Sequence, residues 1–304
     1  MPTKAISPAR DRLQSRLLVW IVVPVLSILG AARTVGLLLY APSLRTMVFE
    51  SVGVSLCFAI IAWRLRAATP AAAATGGVIC LCLVYGTRLY MASVMHSALA
   101  PLIAVFVLTF TATRAGRNRK AASGLAESRS GRTASQVVAN LGFAALLAVP
   151  LGDIFTLLVW PRSNAHINSI VLFVCTLAAL AEAAADTVSS EIGQAFGGAP
   201  FLLTTLRHVP PGTDGAISLN GTVAGIAAAA LIAATGTPAL GMSFAECTVA
   251  FAAAVLGLFF DSLLGATLER RGYIGNDLVN FTSTAFAAAI ALLALRFGPY
   301  YLLR

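Results

Sequence analysis

The sequence predicts an all-α, polytopic integral membrane protein of about nine transmembrane helices (range seven to nine), with its N-terminus cytoplasmic. Three observations predict this. The 304 residues are 58% hydrophobic and only 11% charged, whereas a soluble domain carries about 25% charged residues. The mean hydropathy is +0.86. The apolar runs are continuous and approach the roughly 20 residues that a helix needs to cross a bilayer; they do not alternate as barrel strands do. Together these exclude a water-soluble globule, a disordered chain and a fibrous repeat.

The elements follow in order. A basic tail (Lys4, Arg10, Arg12, Arg16) precedes the first apolar run, 17–40. It has the look of a secretory signal, but the run continues too far and reads as a retained anchor. The other runs are 46–63, 70–87, 96–113, 136–159, 168–185, 216–236, 243–263 and 280–297. Pro24 and Arg33 weaken the first, and the Ala/Gly content weakens the third. The five cysteines (Cys57, Cys80, Cys82, Cys175, Cys247) lie inside apolar runs without a CxxC pair. They support neither a disulfide framework nor a zinc site and read as packing residues.

Charge gives the expected sidedness. Nine spans with the N-terminus inside put fifteen of the 21 Lys and Arg in cytoplasmic segments, leaving Arg33, Arg45, Arg88, Arg162, Arg296 and Arg304 elsewhere. This is the positive-inside pattern. The net charge of +9 therefore reads as topology and not as nucleic-acid binding. The triplets Asn220-Gly221-Thr222 and Asn280-Phe281-Thr282 fall on the cytoplasmic side and read as chance glycosylation matches.

The scarce acids point to chemistry. Asp186, Glu191, Asp214, Asp261, Glu269 and Asp277, half of the twelve, lie in or at the membrane edge of the last two cytoplasmic segments, and Glu182 is one helical turn before Asp186. Ionisable groups at membrane depth are costly and usually face a partner or a wet cavity. Glu127, Glu246 and Asp11 read as solvated helix ends or satisfied polar contacts.

Five motifs surround these acids. In Glu182-Ala-Ala-Ala-Asp186-Thr187-Val-Ser189-Ser190-Glu191, the residues Glu182, Asp186 and Ser189/Ser190 share a helix face, and Glu191 leaves it unless the helix breaks. Gly193, Gly197, Gly198 and Pro200 supply the means to break it. Carboxylates and hydroxyls at a broken helix suit Mg²⁺ and phosphate. In Val209-Pro210-Pro211-Gly212-Thr213-Asp214-Gly215, Thr213 or Asp214 can cap the next helix. The start of that helix is either an anion site or a plain capped end. Phe260-Asp261-Ser262-Leu263-Leu264-Gly265-Ala266-Thr267 puts an acid in a long apolar run, where a cation or donor partner is expected. Gly275-Asn276-Asp277-Leu278-Val279-Asn280 opens the last helix with oxygen ligands, Asn276 being a possible cap. Gly131-Arg132-Thr133-Ala134-Ser135-Gln136 opens the fifth span, with Gln136 and Asn140 on one face. There is no Walker A loop, Rossmann fingerprint, HExxH or GxSxG, and only three histidines occur (His96, His166, His208), so a His-based metal site or a Ser/His hydrolase is not expected.

Taken together these segments resemble the integral-membrane family called domain of unknown function 92, which includes plant and cyanobacterial phytyl-phosphate kinase and animal transmembrane protein 19. The resemblance runs over about residues 70–300, with Asp-Thr-x-x-Ser-Glu, Pro-Pro-Gly-Thr-Asp-Gly and Asp-Ser-Leu-Leu-Gly-Ala-Thr as its most specific elements. It divides the chain into 1–69, a basic tail plus two extra transmembrane helices, and 70–304, a family-like membrane domain. It implies a kinase using a nucleoside triphosphate (CTP or ATP) and Mg²⁺ to convert a prenyl monophosphate to the diphosphate. On that reading Asp186, Asp214 and Asp261 are catalytic, and Asp186, Glu191 and Asp261 hold Mg²⁺. Arg132, Arg207, Gly212, Thr213, Gly215, Asn276 and Asn280 bind nucleotide or phosphate. The partners are a prenyl-phosphate lipid, a nucleotide and the bilayer. The motif loops face the cytoplasm, from the inner membrane if the cell is bacterial. The rival is a transporter or lipid flippase with a polar site at the cytoplasmic side, because broken, acid-lined helices also suit ion-coupled transport. A structural scaffold is a third class, and it leaves the acids unexplained.

Overall fold

The computed structural model describes residues 6–88, 93–124, 130–152, 154 and 165–298. Its helices are α1 (Pro8–Tyr40), α2 (Arg45–Arg64), α3 (Pro70–Thr87), α4 (Leu99–Arg114), α5 (Arg117–Ala122), α6 (Ala134–Leu147), α7 (Ala165–Phe196), α8 (Leu219–Ala234), α9 (Gly236–Leu240), α10 (Phe244–Leu264) and α11 (Asn276–Phe297). Among the described residues, seven helical stretches are long and apolar enough to cross a membrane, and the shorter apolar helices α4 and α6 occupy the fourth and fifth expected spans. The last part of the fifth run (155–159) lies outside the described residues, as do Lys4, Glu127, Arg129, Arg162 and Arg304. The chain is an all-α polytopic membrane protein.

Local chemistry sets the helix starts. Thr69 caps α3 by accepting the Ala72 N–H, with Pro70 in the first turn, where its missing donor costs nothing. Thr133 and Gln136 form a capping box on α6, and Ser243 and Glu246 form another on α10. Glu246 is thus a structural acid. Helix α1 continues through Pro24, which spanning helices tolerate. Four of the cysteines are buried in the packing, and Cys57 is exposed on α2.

Helix α7 is the central post, packed against α4, α6, α8, α10 and α11. It runs unbroken to Phe196, so of the four residues that could break it Gly193 stays helical and the break falls at Gly197 and Gly198, where φ is +71° at Gly198. Small residues let α8 close on it: a Cβ on Gly221 would lie 2.5 Å from the Ser189 carbonyl oxygen, and one on Gly225 would lie 2.7 Å from that of Ala185. This is the close-approach geometry of small-xxx-small membrane pairs.

The segments expected to be cytoplasmic meet at one end of the bundle. Arg10 donates to the Gly272 carbonyl and Gln14 to that of Tyr273. The Ser15 hydroxyl donates to Asp277 at 2.6 Å. Arg114 donates to the Leu65 carbonyl, and residues 67–69 exchange backbone hydrogen bonds with Arg132. A two-stranded antiparallel ribbon, β1 (Phe201–Leu202) with β2 (Ala216–Ile217), folds the 197–218 segment over the same end.

Candidate functional site

A polar cavity of about 270 Å³ opens at that end, between α6, α7, α10, α11 and the loop before α8. From α7 it receives Asp186, Thr187, Ser189, Ser190 and Glu191; from α10, Asp261 and Ser262; from α11, Asn276 and Asn280. The Gly212–Gly215 turn covers one side, and Arg132, Gln136 and Asn140 enter from α6 and its cap. Ten of the eleven residues proposed from sequence therefore line one cavity. Arg207 does not; it is exposed, in the turn after β1.

The geometry corrects several local expectations. Because α7 stays helical, Glu191 is rotated off the Asp186 face, and its carboxylate takes an ion pair from Lys120 of α5. Lys120 is fully buried and also donates to the Thr113 carbonyl at 2.8 Å. The cap of α8 is Ser218, whose hydroxyl accepts the Gly221 N–H. Thr213 instead donates its hydroxyl to the Pro210 carbonyl at 2.7 Å, because β2 separates the turn from the helix. Asn276 is the first residue of α11, behind a Gly275 cap, and makes no capping bond.

The two central acids come together. Asp186 and Asp261 are half-buried and within hydrogen-bonding reach of each other, with the Arg132 guanidinium as an electrostatic neighbour. Asp261 also accepts from the Ser283 hydroxyl at 3.1 Å. Two carboxylates in contact repel unless a cation or proton lies between them. Beneath them Glu182 is wholly buried, packed on Gly257, and among the described residues neither carboxyl oxygen has a partner at hydrogen-bond distance.

The loop over the cavity is backbone-packed. Gly212 and Gly215 have φ of +83° and +70°, which only glycine adopts without cost. Gly215 rests on a π-helical turn, Gly265–Glu269, that ends α10 and aims Glu269 at the cavity. Such turns often mark functional sites. At the mouth, partial burial pushes the Asp214 carboxyl above its ordinary range, while nearby Arg270 pulls it back.

The donor set is carboxylate, hydroxyl and amide oxygen, which suits Mg²⁺. Among the described residues, however, no group of three His, Cys, Asp or Glu side chains is arranged to hold an ion. The three-carboxylate centre expected from Asp186, Glu191 and Asp261 is thus not preassembled, because Glu191 faces Lys120. The Asp186–Asp261 pair is still a fit, since Mg²⁺ commonly takes one or two protein carboxylates and completes its shell with phosphates and water.

Sequence reasoning named Glu269, Gln136 and Asn140 without placing them in the site, and missed Ser218 and Lys120. A π turn leaves no periodic signal, and Lys120 looked like one more charge in a basic loop.

Comparison with known proteins agrees with this architecture. The chain is 34% identical over 192 residues to an uncharacterized membrane protein of Synechocystis sp., covering 63% of this chain and 71% of the other. It is 32% identical over 197 residues to Protein VTE6, chloroplastic, of Arabidopsis thaliana, covering 64% of this chain and 57% of that protein. It is 33% identical over 193 residues to an uncharacterized membrane protein of Methanocaldococcus jannaschii, covering 63% and 74%. No solved structure matches. The model of one family, described as Integral membrane protein DUF92, matches residues 53–288, more than half of the chain, and the protein belongs to that family.

Proposed function

We propose that the protein is a membrane kinase that transfers the terminal phosphoryl group of CTP or ATP to a prenyl (phytyl-like) monophosphate. The observation that carries this reading is the gathering of Asp186, Asp214, Asp261, Asn276, Asn280 and Arg132 around one cavity at a bundle end. The resemblance of those motifs to phytyl-phosphate kinases supplies the reaction class. We place that end, rich in Lys and Arg, at the cytoplasm, where nucleotides are available.

Phosphoryl transfer asks mainly for positioning and charge neutralisation. The terminal P–O bond of the donor breaks, a new P–O bond forms to an acceptor phosphate oxygen, and the nucleoside diphosphate leaves. Asp186 and Asp261 would hold Mg²⁺, which neutralises charge on the transferred group. The Gly212–Gly215 turn presents backbone N–H groups to donor phosphates. Arg132 neutralises the acceptor, and Asn276 and Asn280 orient donor oxygens. The acceptor is already ionised near neutral pH, so no strong base is needed. Purified protein with Mg²⁺, γ-labelled nucleotide and phytyl monophosphate should give labelled phytyl diphosphate. No transfer to any prenyl monophosphate from either nucleotide would reject the reading.

One observation favours a second reading, cation-coupled movement of a lipid phosphate. Among the described residues Glu182 is a carboxyl without a hydrogen-bond partner at membrane depth, a feature common in ion pathways. Uptake of a lipid phosphate into sealed proteoliposomes, without nucleotide, separates the two.

A further inference from the structure

A second cavity, of about 310 Å³, lies beside the polar one, between α2, α3, α4 and α6. Its chemistry is opposite. Its wall is built of small and aromatic groups, among them Ala62, Ala73, Gly76, Val105 and Phe106. On α4 the lining positions from Leu102 to Thr113 recur at helical spacing and follow the helix for about 17 Å. This is a deep apolar slot with a polar end.

The polar end is basic. Arg66, Arg114, Arg117 and Arg132 all line the cavity. Arg66, Arg114 and Arg117 are exposed, and among the described residues none of these three is ion-paired with a carboxylate. Arg114 lies over the Phe110 ring, 3.4 Å from its centroid, which holds the guanidinium at the mouth. An apolar slot under a cluster of guanidinium groups complements a molecule with an apolar chain and an anionic head.

Two residues belong to both cavities, Arg132 and Asn140. The Arg132 backbone is pinned: its N–H donates to the Ala67 carbonyl at 2.9 Å, and its carbonyl accepts from Thr69 at 3.0 Å. A Cβ on the preceding Gly131 would meet the Ala67 carbonyl carbon at 2.5 Å, so the strap is tight. Asn140 is 7% exposed, and among the described residues its amide oxygen has no hydrogen-bond partner. A buried orphan acceptor costs about 1–3 kcal/mol; as an acceptor it calls for a donor, and the phosphate contact on this wall falls to Arg132.

We propose that the apolar cavity is the acceptor subsite, holding the chain of a single-chain isoprenoid monophosphate. Its phosphate lies under Arg114, Arg117 and Arg132 and meets the nucleotide cavity at Arg132 and Asn140. The proposal rests on the kinase reading for the fate of that phosphate, but not for the binding itself. Acyl and isoprenoid monophosphates share the required chemistry, and the depth of the slot makes chain shape the selecting feature.

The test is photo-cross-linking of the purified full-length protein with geranylgeranyl monophosphate carrying a diazirine at the tail end. Label is expected on peptides of α2, α3, α4 and α6 around Gly76 and Phe106. The neutral alcohol should label several-fold less, and unlabelled geranylgeranyl monophosphate should compete. Arg114→Gln with Arg117→Gln should weaken labelling about fivefold. Gly76→Leu fills the slot, because its Cβ has only Phe58 nearby at 3.7 Å. It should shift preference from geranylgeranyl to geranyl monophosphate about tenfold. Label on the outer faces of α1 or α2, equal labelling by the neutral alcohol, or preferential labelling by lysophosphatidate overturns the proposal. Cross-linking needs no turnover. Label in the slot without phosphoryl transfer rejects the kinase alone, and transfer with label elsewhere rejects the subsite alone.

Discussion

Gly215 and Gly265 touch through their backbones: a Cβ on Gly265 would lie 2.6 Å from the Gly215 nitrogen. The covering loop and the π turn of α10 thus fit only without side chains. Gly215→Ala adds both a clash, 2.0 Å from the Ala266 nitrogen, and a positive-φ penalty, and such strained positions cost about 1–3 kcal/mol. It should lower the thermal midpoint in detergent and weaken nucleotide binding. An unchanged midpoint would mean that the loop is not held this way.

The Lys120–Glu191 pair anchors α5 to α7, with side-chain exposures of 1% and 14%. Lys120→Met strands a mostly buried carboxylate. It should cost about 2–3 kcal/mol, somewhat under the penalty for a fully buried pair because Glu191 reaches solvent. Lys120→Met with Glu191→Leu should restore most of that loss. A double-mutant cycle by chemical unfolding checks the coupling, and simple additivity would contradict it.

Asp214 keeps its proton to higher pH in the folded chain than in the unfolded one, because burial disfavours its charge. The folded state therefore binds more protons from about pH 4 upward to the folded pKa. Its contribution to stability is present below that window and declines as pH rises through it. Asp214→Asn should flatten this part of a pH series of thermal midpoints; an unaltered slope would show that another group carries it.

Among the described residues Glu182 has no hydrogen-bond partner for either carboxyl oxygen. Replacing an unsatisfied buried polar group by an apolar one of similar size removes its desolvation penalty, about 1–3 kcal/mol. Glu182→Leu should raise the thermal midpoint. A fall would mean that the carboxyl is satisfied in the folded protein.

Much of this architecture was legible in the sequence because hydrocarbon is a simple solvent. Continuous apolar runs marked the seven long membrane-crossing helices and the two shorter apolar ones among the described residues, and acids at membrane depth marked the cavity. Rotation about a helix axis was less legible. Glu191 would share the Asp186 face only if α7 broke near it; the breakers Gly193, Gly197 and Gly198 all follow it, the helix runs on to Phe196, and the carboxylate meets Lys120 instead. The cap of α8 was misplaced because the ribbon strand Ala216–Ile217 is too short to leave a pattern. Arg207 was a phosphate ligand on the kinase reading, but it is exposed in the turn after β1 and does not line the cavity. The apolar slot left no local signature, because its wall comes from separate helices.

The central claim is that Asp186 and Asp261 serve phosphoryl transfer to a prenyl monophosphate. Its most direct measurement is initial-rate formation of labelled prenyl diphosphate by the purified protein and by its Asp186→Asn and Asp261→Asn variants, with the thermal midpoint recorded for each. The account predicts transfer by the unsubstituted protein and at least about a hundredfold loss in each variant, with midpoints unchanged or raised. Transfer that survives both substitutions, or no transfer by the unsubstituted protein with any nucleotide, would contradict it.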